Sequence, residues 1–302
     1  MGADLPSGAS PPDGAPPLWR EVLVDVQRRL AGNGRAPEEA RWMVAEVSGI
    51  EDDAGLDAPT KVSHIARLDS LVTRRLSGEP LQYVLGRWSF RGLDLMVDRR
   101  VLIPRPETEV VAGYALEECG RVAGAGTAGD TVYVADLGCG SGAIGFAVAA
   151  EQSTTQVWCT DVSAEALAVA GANLAGLGLP ARRVNLAQGS WFSALPSQMA
   201  GRFDVIVSNP PYVGEGELLS SEVEDWEPPA AFRAGPHGTE DLDHLVDQAS
   251  EWLTADGSLV LEVSPLLAEA VAGRASTAGY REVYVHPDLT GRDRVVVARG
   301  PR

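Results

Sequence analysis

The tetrapeptide Asn209-Pro210-Pro211-Tyr212 closes the apolar run Phe203-Asp204-Val205-Ile206-Val207-Ser208. A planar nitrogen, whether in an amide or an aromatic amine, is a poor nucleophile because its lone pair is delocalised. The Asn209 side-chain oxygen and the Pro210 carbonyl suit the two N–H groups of such an –NH₂. Accepting both would fix the nitrogen and let charge build on it during attack. Tyr212 offers a flat face to stack on the acceptor, and the two prolines stiffen the turn. The plain alternative is an Asn-Pro turn that merely ends a strand.

A second pattern lies upstream. Thr131-Val132-Tyr133-Val134-Ala135-Asp136 reads as a buried strand, and Leu137-Gly138-Cys139-Gly140-Ser141-Gly142 as a glycine turn into a helix. Such a turn lets backbone approach a ligand closely and points free N–H groups at it. Asp161, at the end of the next strand, is placed to accept hydrogen bonds from a ribose diol. Gly140, Gly142 and Gly145 also satisfy the dinucleotide fingerprint G-x-G-x-x-G. Asp136 argues for a different ligand: a carboxylate beside the loop suits the cationic methionine end of S-adenosylmethionine and repels a pyrophosphate. A methyl donor beside an amine-gripping turn makes the purely structural reading of either motif the weaker one.

These motifs need a scaffold. From about residue 110 the pattern alternates, with strands expected at 131–136, 156–160, 182–187, 203–208, 257–263, 281–286 and 293–299. Helices are expected between them at 141–151, 163–176, 238–254 and 266–278. Repeated β-α units imply a mainly parallel sheet covered on both faces. The last two strands lack an intervening helix, so they should pair antiparallel. Both motifs then fall at C-terminal strand ends, in the crevice where open α/β sheets bind ligands. Residues 18–86 read as a small helical domain. Leu18, Val22, Leu23, Val26 and Leu30 fall at helical spacing, Pro37 opens a second helix, and Ile65 to Leu76 carry a third. Residues 87–109 read as a β-hairpin linker and the wall after it, and residues 110–302 as the catalytic domain. Residues 1–17, rich in Pro, Gly and Ala, are expected to be a disordered tail.

Composition narrows the function further. The net charge is −17, and residues 101–302 hold 27 acidic against 12 basic side chains. Such a domain repels phosphate backbones, which disfavours stable nucleic-acid binding. No apolar run is long enough to span a bilayer, and no signal peptide is evident. Cys119, Cys139 and Cys159 lack metal-ligand spacing and read as free thiols in a reducing cytoplasm; no metal is expected. Cys139 is read as small rather than nucleophilic. The acidic stretch 215–227 reads equally as a lid or as a solvated loop.

Taken together, the motifs resemble the peptide chain release factor N5-glutamine methyltransferases. Besides the two motifs above, the resemblance rests on Gly78-Glu79-Pro80-Leu81-Gln82-Tyr83, Val101 to Glu109, Trp191-Phe192-Ser193-Ala194-Leu195, Trp226-Glu227-Pro228 and Asp288 to Arg294. It implies a seven-stranded Rossmann-like α/β methyltransferase domain with a small N-terminal helical domain for substrate recognition. The substrate would be the glutamine amide of the Gly-Gly-Gln motif in class I release factors. Asn209, Pro210 and Tyr212 would be catalytic, with Pro211, Arg105 and Glu107 also shaping the acceptor pocket. The donor would lie along Asp136, Gly138, Cys139, Gly140, Ser141 and Gly142. Asp161, Ser190, Trp191 and Asn209 would complete its site, with Trp191 packing on the adenine. Where the family usually has an acidic residue before Trp191, this chain has Ser190. Glu262 is followed by Val263-Ser264-Pro265-Leu266 rather than by the usual Gly and Gln. An amino-methyltransferase of nucleic-acid bases is the alternative, because the Asn-Pro-Pro-Tyr turn permits it.

Overall fold

The computed structural model describes residues 16–125 and 131–301. Most of the expected tail lies outside those residues. Pro17 does not behave as tail: its carbonyl accepts the Thr60 N–H at 2.9 Å. The chain forms two compact units, residues 1–85 and 86–302.

The first unit is helical. It contains α1 (Trp19–Ala31), α2 (Glu39–Ser48), α3 (Val62–Leu76) and the short α4 (Leu81–Leu85). Apolar residues at helical spacing close a core of its own around Leu30, Met43, Leu68 and Val72. Arg75 is buried there with the Glu39 carboxylate, its Nη2 at 2.9 Å from Oε1. A buried charge is tolerated when it is paired in this way.

The second unit opens with a hairpin, β1 (Arg87–Phe90) and β2 (Leu93–Met96), joined by Arg91-Gly92. Both turn residues have positive φ, 45° and 77°, as a tight primed hairpin turn requires. The hairpin is anchored at both ends. Arg91 grips the Glu151 carboxylate with two bonds of 2.7 and 2.6 Å. Asn173 binds the Met96 N–H and carbonyl and also the Ser141 carbonyl of the glycine turn.

There follow α5 (Pro106–Ala125), β3 (Val132–Leu137), α6 (Ala143–Glu151), β4 (Thr155–Asp161), α7 (Ala164–Gly176), β5 (Val184–Gln188) and β6 (Phe203–Ser208). The chain continues through α8 (Ser221–Glu224), α9 (Glu240–Gln248), β7 (Leu253–Glu262), α10 (Ala268–Ala278), β8 (Glu282–Pro287) and β9 (Asp293–Arg299). The strands form one seven-stranded sheet in the order β5-β4-β3-β6-β7-β9-β8. β9 runs antiparallel to both neighbours, and the other pairs are parallel. Alternate side chains feed opposite faces: Val205 and Val207 pack under α5 and α6, and Ile206 packs with α9 and α10. The chain order reverses beside β3, so β3 and β6 end next to one another at the switch point.

Two sequence expectations are corrected. The helix expected over 238–254 ends at Gln248, with a single 3-10 turn after it. Leu253 already belongs to β7 and pairs with Phe203. Trp252 and Leu253 continue the apolar spacing of α9, so periodicity alone carried the helix too far. The second correction is α5. The sequence pattern places residues 106–109 in the wall and announces no helix over 110–125, yet α5 spans Pro106–Ala125. Pro106 occupies its first position, where a missing N–H costs nothing.

Candidate active site

The glycine turn is held from below. The N–H groups of Gly138 and Cys139 both donate to the Thr160 carbonyl at the end of β4, at 2.8 Å. Gly142 has φ +87°, and a Cβ there would overlap the Phe146 ring. Gly145 lets α6 lie against the sheet: a Cβ would overlap Cys159 Sγ and come within 3.0 Å of Asp136 Oδ2. That approach allows the Gly145 N–H to donate to Asp136 Oδ2 at 2.8 Å. Asp136 Oδ1 is buried without a hydrogen-bond partner. Burial pushes the Asp136 carboxyl up to about 7, with the Gly145 N–H partly offsetting it. Cys139 is hydrogen-bonded to Cys159, and this contact and burial hold its thiol well above the usual range. It is not poised as a nucleophile.

Asp161 faces the loop from β4. Its Oδ2 accepts the Gly140 N–H and its Oδ1 the Ser163 N–H, each at 2.9 Å. Val162 follows and is 64% exposed. Across from it stands Trp191, whose φ of 47° is unusual for a bulky residue. Its ring lies against Gly138, where a Cβ would come within 3.4 Å. Asp241, in the first turn of α9, accepts a hydrogen bond from the Trp191 indole, and burial raises its carboxyl.

The Asn209-Pro210-Pro211-Tyr212 turn leaves β6 beside this loop. Asn209 Nδ2 donates to Thr108 Oγ1 at 3.2 Å. Thr108 in turn donates to Glu262 Oε2 at 2.7 Å, and the Tyr212 hydroxyl to Glu262 Oε1 at 3.2 Å. Glu262 is buried at the end of β7. Burial pushes it up to about 7, against the opposing effect of the Thr108 bond and the Arg294 charge.

These walls enclose a cavity of about 290 Å³. Asp136, Gly138, Cys139, Gly140, Ser141, Asp161, Ser190, Trp191, Asn209 and Pro211 line it, all from the second unit. Pro210 is buried behind the turn, and Tyr212 is mostly buried against Glu262. Arg105 and Glu107 do not pair with one another. Arg105 forms an ion pair with Glu227, while Glu107 accepts from Arg292 at 3.2 Å. Glu227 was read as part of a lid or solvated loop, and it is neither: it is buried and also accepts the Ile103 N–H at 3.1 Å. Ser190 is exposed at the rim, and its carbonyl accepts from Ser193. Thr108, Val162 and Asp241 also line the cavity and were missed by the sequence reading. Val162 has a local signal in its place directly after Asp161, and Thr108 lies in the Val101–Glu109 wall, but Asp241 has none. No group of His, Cys, Asp or Glu among the described residues is arranged to hold a metal ion.

Comparison with known proteins places this cavity in context. The PrmC N-terminal domain model matches residues 21–86, and the methyltransferase small domain model matches residues 127–224. A release factor glutamine methyltransferase of Geobacter sulfurreducens is 37% identical over 94% of this chain and 98% of its own length. The enzyme of the same name from Cereibacter sphaeroides is 36% identical over 93% and 98%. The chain belongs to the release factor glutamine methyltransferase family. Among solved structures, the hMettl16 catalytic domain bound to the MAT2A 3'UTR hairpin 1 superposes with a TM-score of 0.54 at 13% identity. That likeness covers 86% of this chain and 90% of the other, and shows the shared methyltransferase fold. S-adenosylmethionine is the methyl donor of this methyltransferase. The cavity suits it on its own evidence, because a buried carboxylate oxygen without a partner is a vacancy for a cation's hydrogen-bond donor.

Proposed function

We propose that this protein, in the cytoplasm, transfers a methyl group from S-adenosylmethionine to the side-chain amide nitrogen of the Gly-Gly-Gln glutamine in class I peptide chain release factors. The observation that carries this reading is Asn209, on the wall of the same cavity as Gly138, Cys139, Gly140 and Ser141 of the glycine turn. The family resemblance and the relatives' names supply the substrate's identity; the residues supply the chemistry of a planar amino nitrogen.

Asp136 would hold the cationic end of the donor, and the exposed backbone of the glycine turn its flank. Asp161 keeps lone pairs for a ribose diol after accepting two backbone N–H groups. Val162 and Trp191 offer apolar surface to the adenine, and Asp241 an acceptor near it. The donor supplies a methyl group on a sulfonium, already electrophilic without further activation. The chain's task is therefore alignment. Asn209 Oδ1 and the Pro210 carbonyl accept the two amide hydrogens, which localises the nitrogen lone pair and stabilises positive charge on it. A nitrogen–carbon bond forms as the sulfur–carbon bond breaks, and one amide proton leaves to solvent. No base of unusual strength is needed.

Mass spectrometry of a class I release factor after incubation with protein and donor tests this. A one-methyl increase on the Gly-Gly-Gln peptide is expected, and none in a factor whose glutamine is alanine. Equal methylation of that control, or preference for adenine-containing oligonucleotides, would overturn the reading.

A further inference from the structure

Asn209 carries two different atoms at the end of its side chain, and only the oxygen can accept an amide hydrogen. Something must decide which of the two meets the substrate. The decision is made at the cavity wall and one layer behind it, by residues that come from distant parts of the chain.

An ionised carboxylate is an acceptor only. Glu262 therefore requires both hydroxyls that touch it, Tyr212 at 3.2 Å and Thr108 at 2.7 Å, to donate. Thr108 has a single hydroxyl hydrogen, and it is committed to Glu262. Toward Asn209 it can offer only lone pairs. Asn209 must then turn its NH₂ to Thr108, the contact seen at 3.2 Å. The amide atom left for the cavity is Oδ1. Thr108 is buried and Glu262 is 1% exposed, so water does not substitute readily for either.

We infer that Thr108 and Glu262 are positioning residues, which fix the Asn209 amide with its oxygen toward the acceptor nitrogen. The inference rests on the glutamine-amide reading above and adds to it the device that gives the acceptor motif its polarity. The order of donors runs from Asn209 through Thr108 into Glu262. It reverses in part if Glu262 takes up a proton, because a protonated carboxyl can donate to Thr108. Thr108 is then released to donate toward Asn209, which favours the flipped amide. The groups facing Glu262 are Thr108 and Glu107 from α5, Tyr212 from the acceptor turn and Arg294 from β9. Arg294 favours the ionised form and Glu107 opposes it, so the switch sits where burial has moved it, near neutral pH.

The test has one arm that needs no substrate. The chain has four asparagines, so ¹⁵N-asparagine labelling gives four side-chain amide signals, with Asn209→Asp to assign one of them. The Asn209 signal should titrate with a midpoint near 7 in the intact protein and stay flat in Glu262→Gln. The second arm compares Thr108→Val with Thr108→Ser, in case the glutamate variant folds poorly. The valine variant should lose roughly 10- to 100-fold in kcat on the release factor, as misplacement of a reacting group does. Its affinity for the methyl donor, by calorimetry, should stay within about 3-fold, since a misplaced acceptor group leaves binding uniform. The serine variant, which keeps the hydroxyl, should recover most of the rate. An Asn209 signal indifferent to pH from 5 to 9, or a valine variant with the kcat of the parent, overturns the inference. If the parent protein fails to methylate the factor, the functional reading fails, and the titration still decides the network.

Discussion

Asp136 is an acid held near neutrality on the wall of the cavity proposed to take the cationic donor. Burial is what raises it, and Oδ1 has no partner to stabilise its charge. A folded-state pKa of about 7, raised from 3.8, means that the native protein binds more protons than the unfolded chain between about 4 and 7. The ligand-free protein should therefore lose stability as pH rises through that window, and Asp136→Asn should flatten the slope of Tm against pH. A cation beside the carboxylate reverses the balance, because opposite charge favours the ionised form. S-adenosylmethionine binding should tighten as pH rises toward 7 and should release up to about one proton near pH 6. Calorimetry in buffers of different ionisation enthalpy reads that number directly, and Asp136→Asn should abolish it. A binding enthalpy independent of buffer would show that Asp136 does not meet the cation. Asp161 is the contrasting case, since both its oxygens already accept backbone N–H groups. Asp161→Ala should cost about 1–3 kcal/mol of donor binding. It also removes a support of the turn, so thermal unfolding has to be read alongside.

At the scale of elements, the site depends on how closely α6 lies on β3 and β4. Gly145 permits that contact, and an added Cβ meets Cys159 Sγ and Asp136 Oδ2. Gly145→Ala should lower stability by about 1–3 kcal/mol, the usual cost of overpacking a filled core. Cys159→Ala clears part of that space, so the double variant should recover some of the loss. A double-mutant cycle by denaturant unfolding measures the coupling, and strict additivity would show that the helix yields elsewhere. The same contact explains what sequence could reveal. β3, the glycine turn and α6 are consecutive, and so are β4 and Asp161, so local pattern and spacing were enough to read them. The acceptor turn was legible for the same reason. Thr108 and Glu262 stand in stretches that carry the resemblance, but nothing local gives either a role, and Asp241 has no such signal. Thr108 and Glu262 meet across 154 positions, and nothing near either one announces the other. Asp241 sits in the first turn of α9 among other acids, where a favourable helix-dipole charge is reading enough. The helix α5 was missed because Pro106 and the branched residues after it fit a wall as well as a first turn. Glu227 was misread because an acidic stretch gives no hint that one of its members is buried with Arg105.

For the whole molecule the question is what residues 1–85 contribute. Every residue that lines the cavity belongs to the second unit, and that unit has its own sheet and two apolar layers. The first unit has a separate core. It therefore adds nothing visible to donor binding or to methyl transfer itself. Charge does not separate the two units: residues 1–85 hold 9 basic and 13 acidic side chains, and residues 86–302 hold 16 and 29. We expect the first unit to grip the protein substrate, and binding energy gained there to help hold the glutamine in line for attack. Removing residues 1–85 should then leave donor affinity within about 3-fold, since the cavity is untouched, while kcat/KM on the intact release factor falls by roughly 100-fold or more. The loss corresponds to about 3 kcal/mol of remote binding energy. A short Gly-Gly-Gln peptide should react slowly with both proteins and at nearly the same rate, because it lacks the folded surface that the first unit is expected to grip. Calorimetry with the donor and methylation rates on factor and peptide, each for both proteins, give all six numbers. Equal loss on peptide and factor, with donor affinity intact, would mean that residues 1–85 support the catalytic unit's own structure and do not grip the substrate.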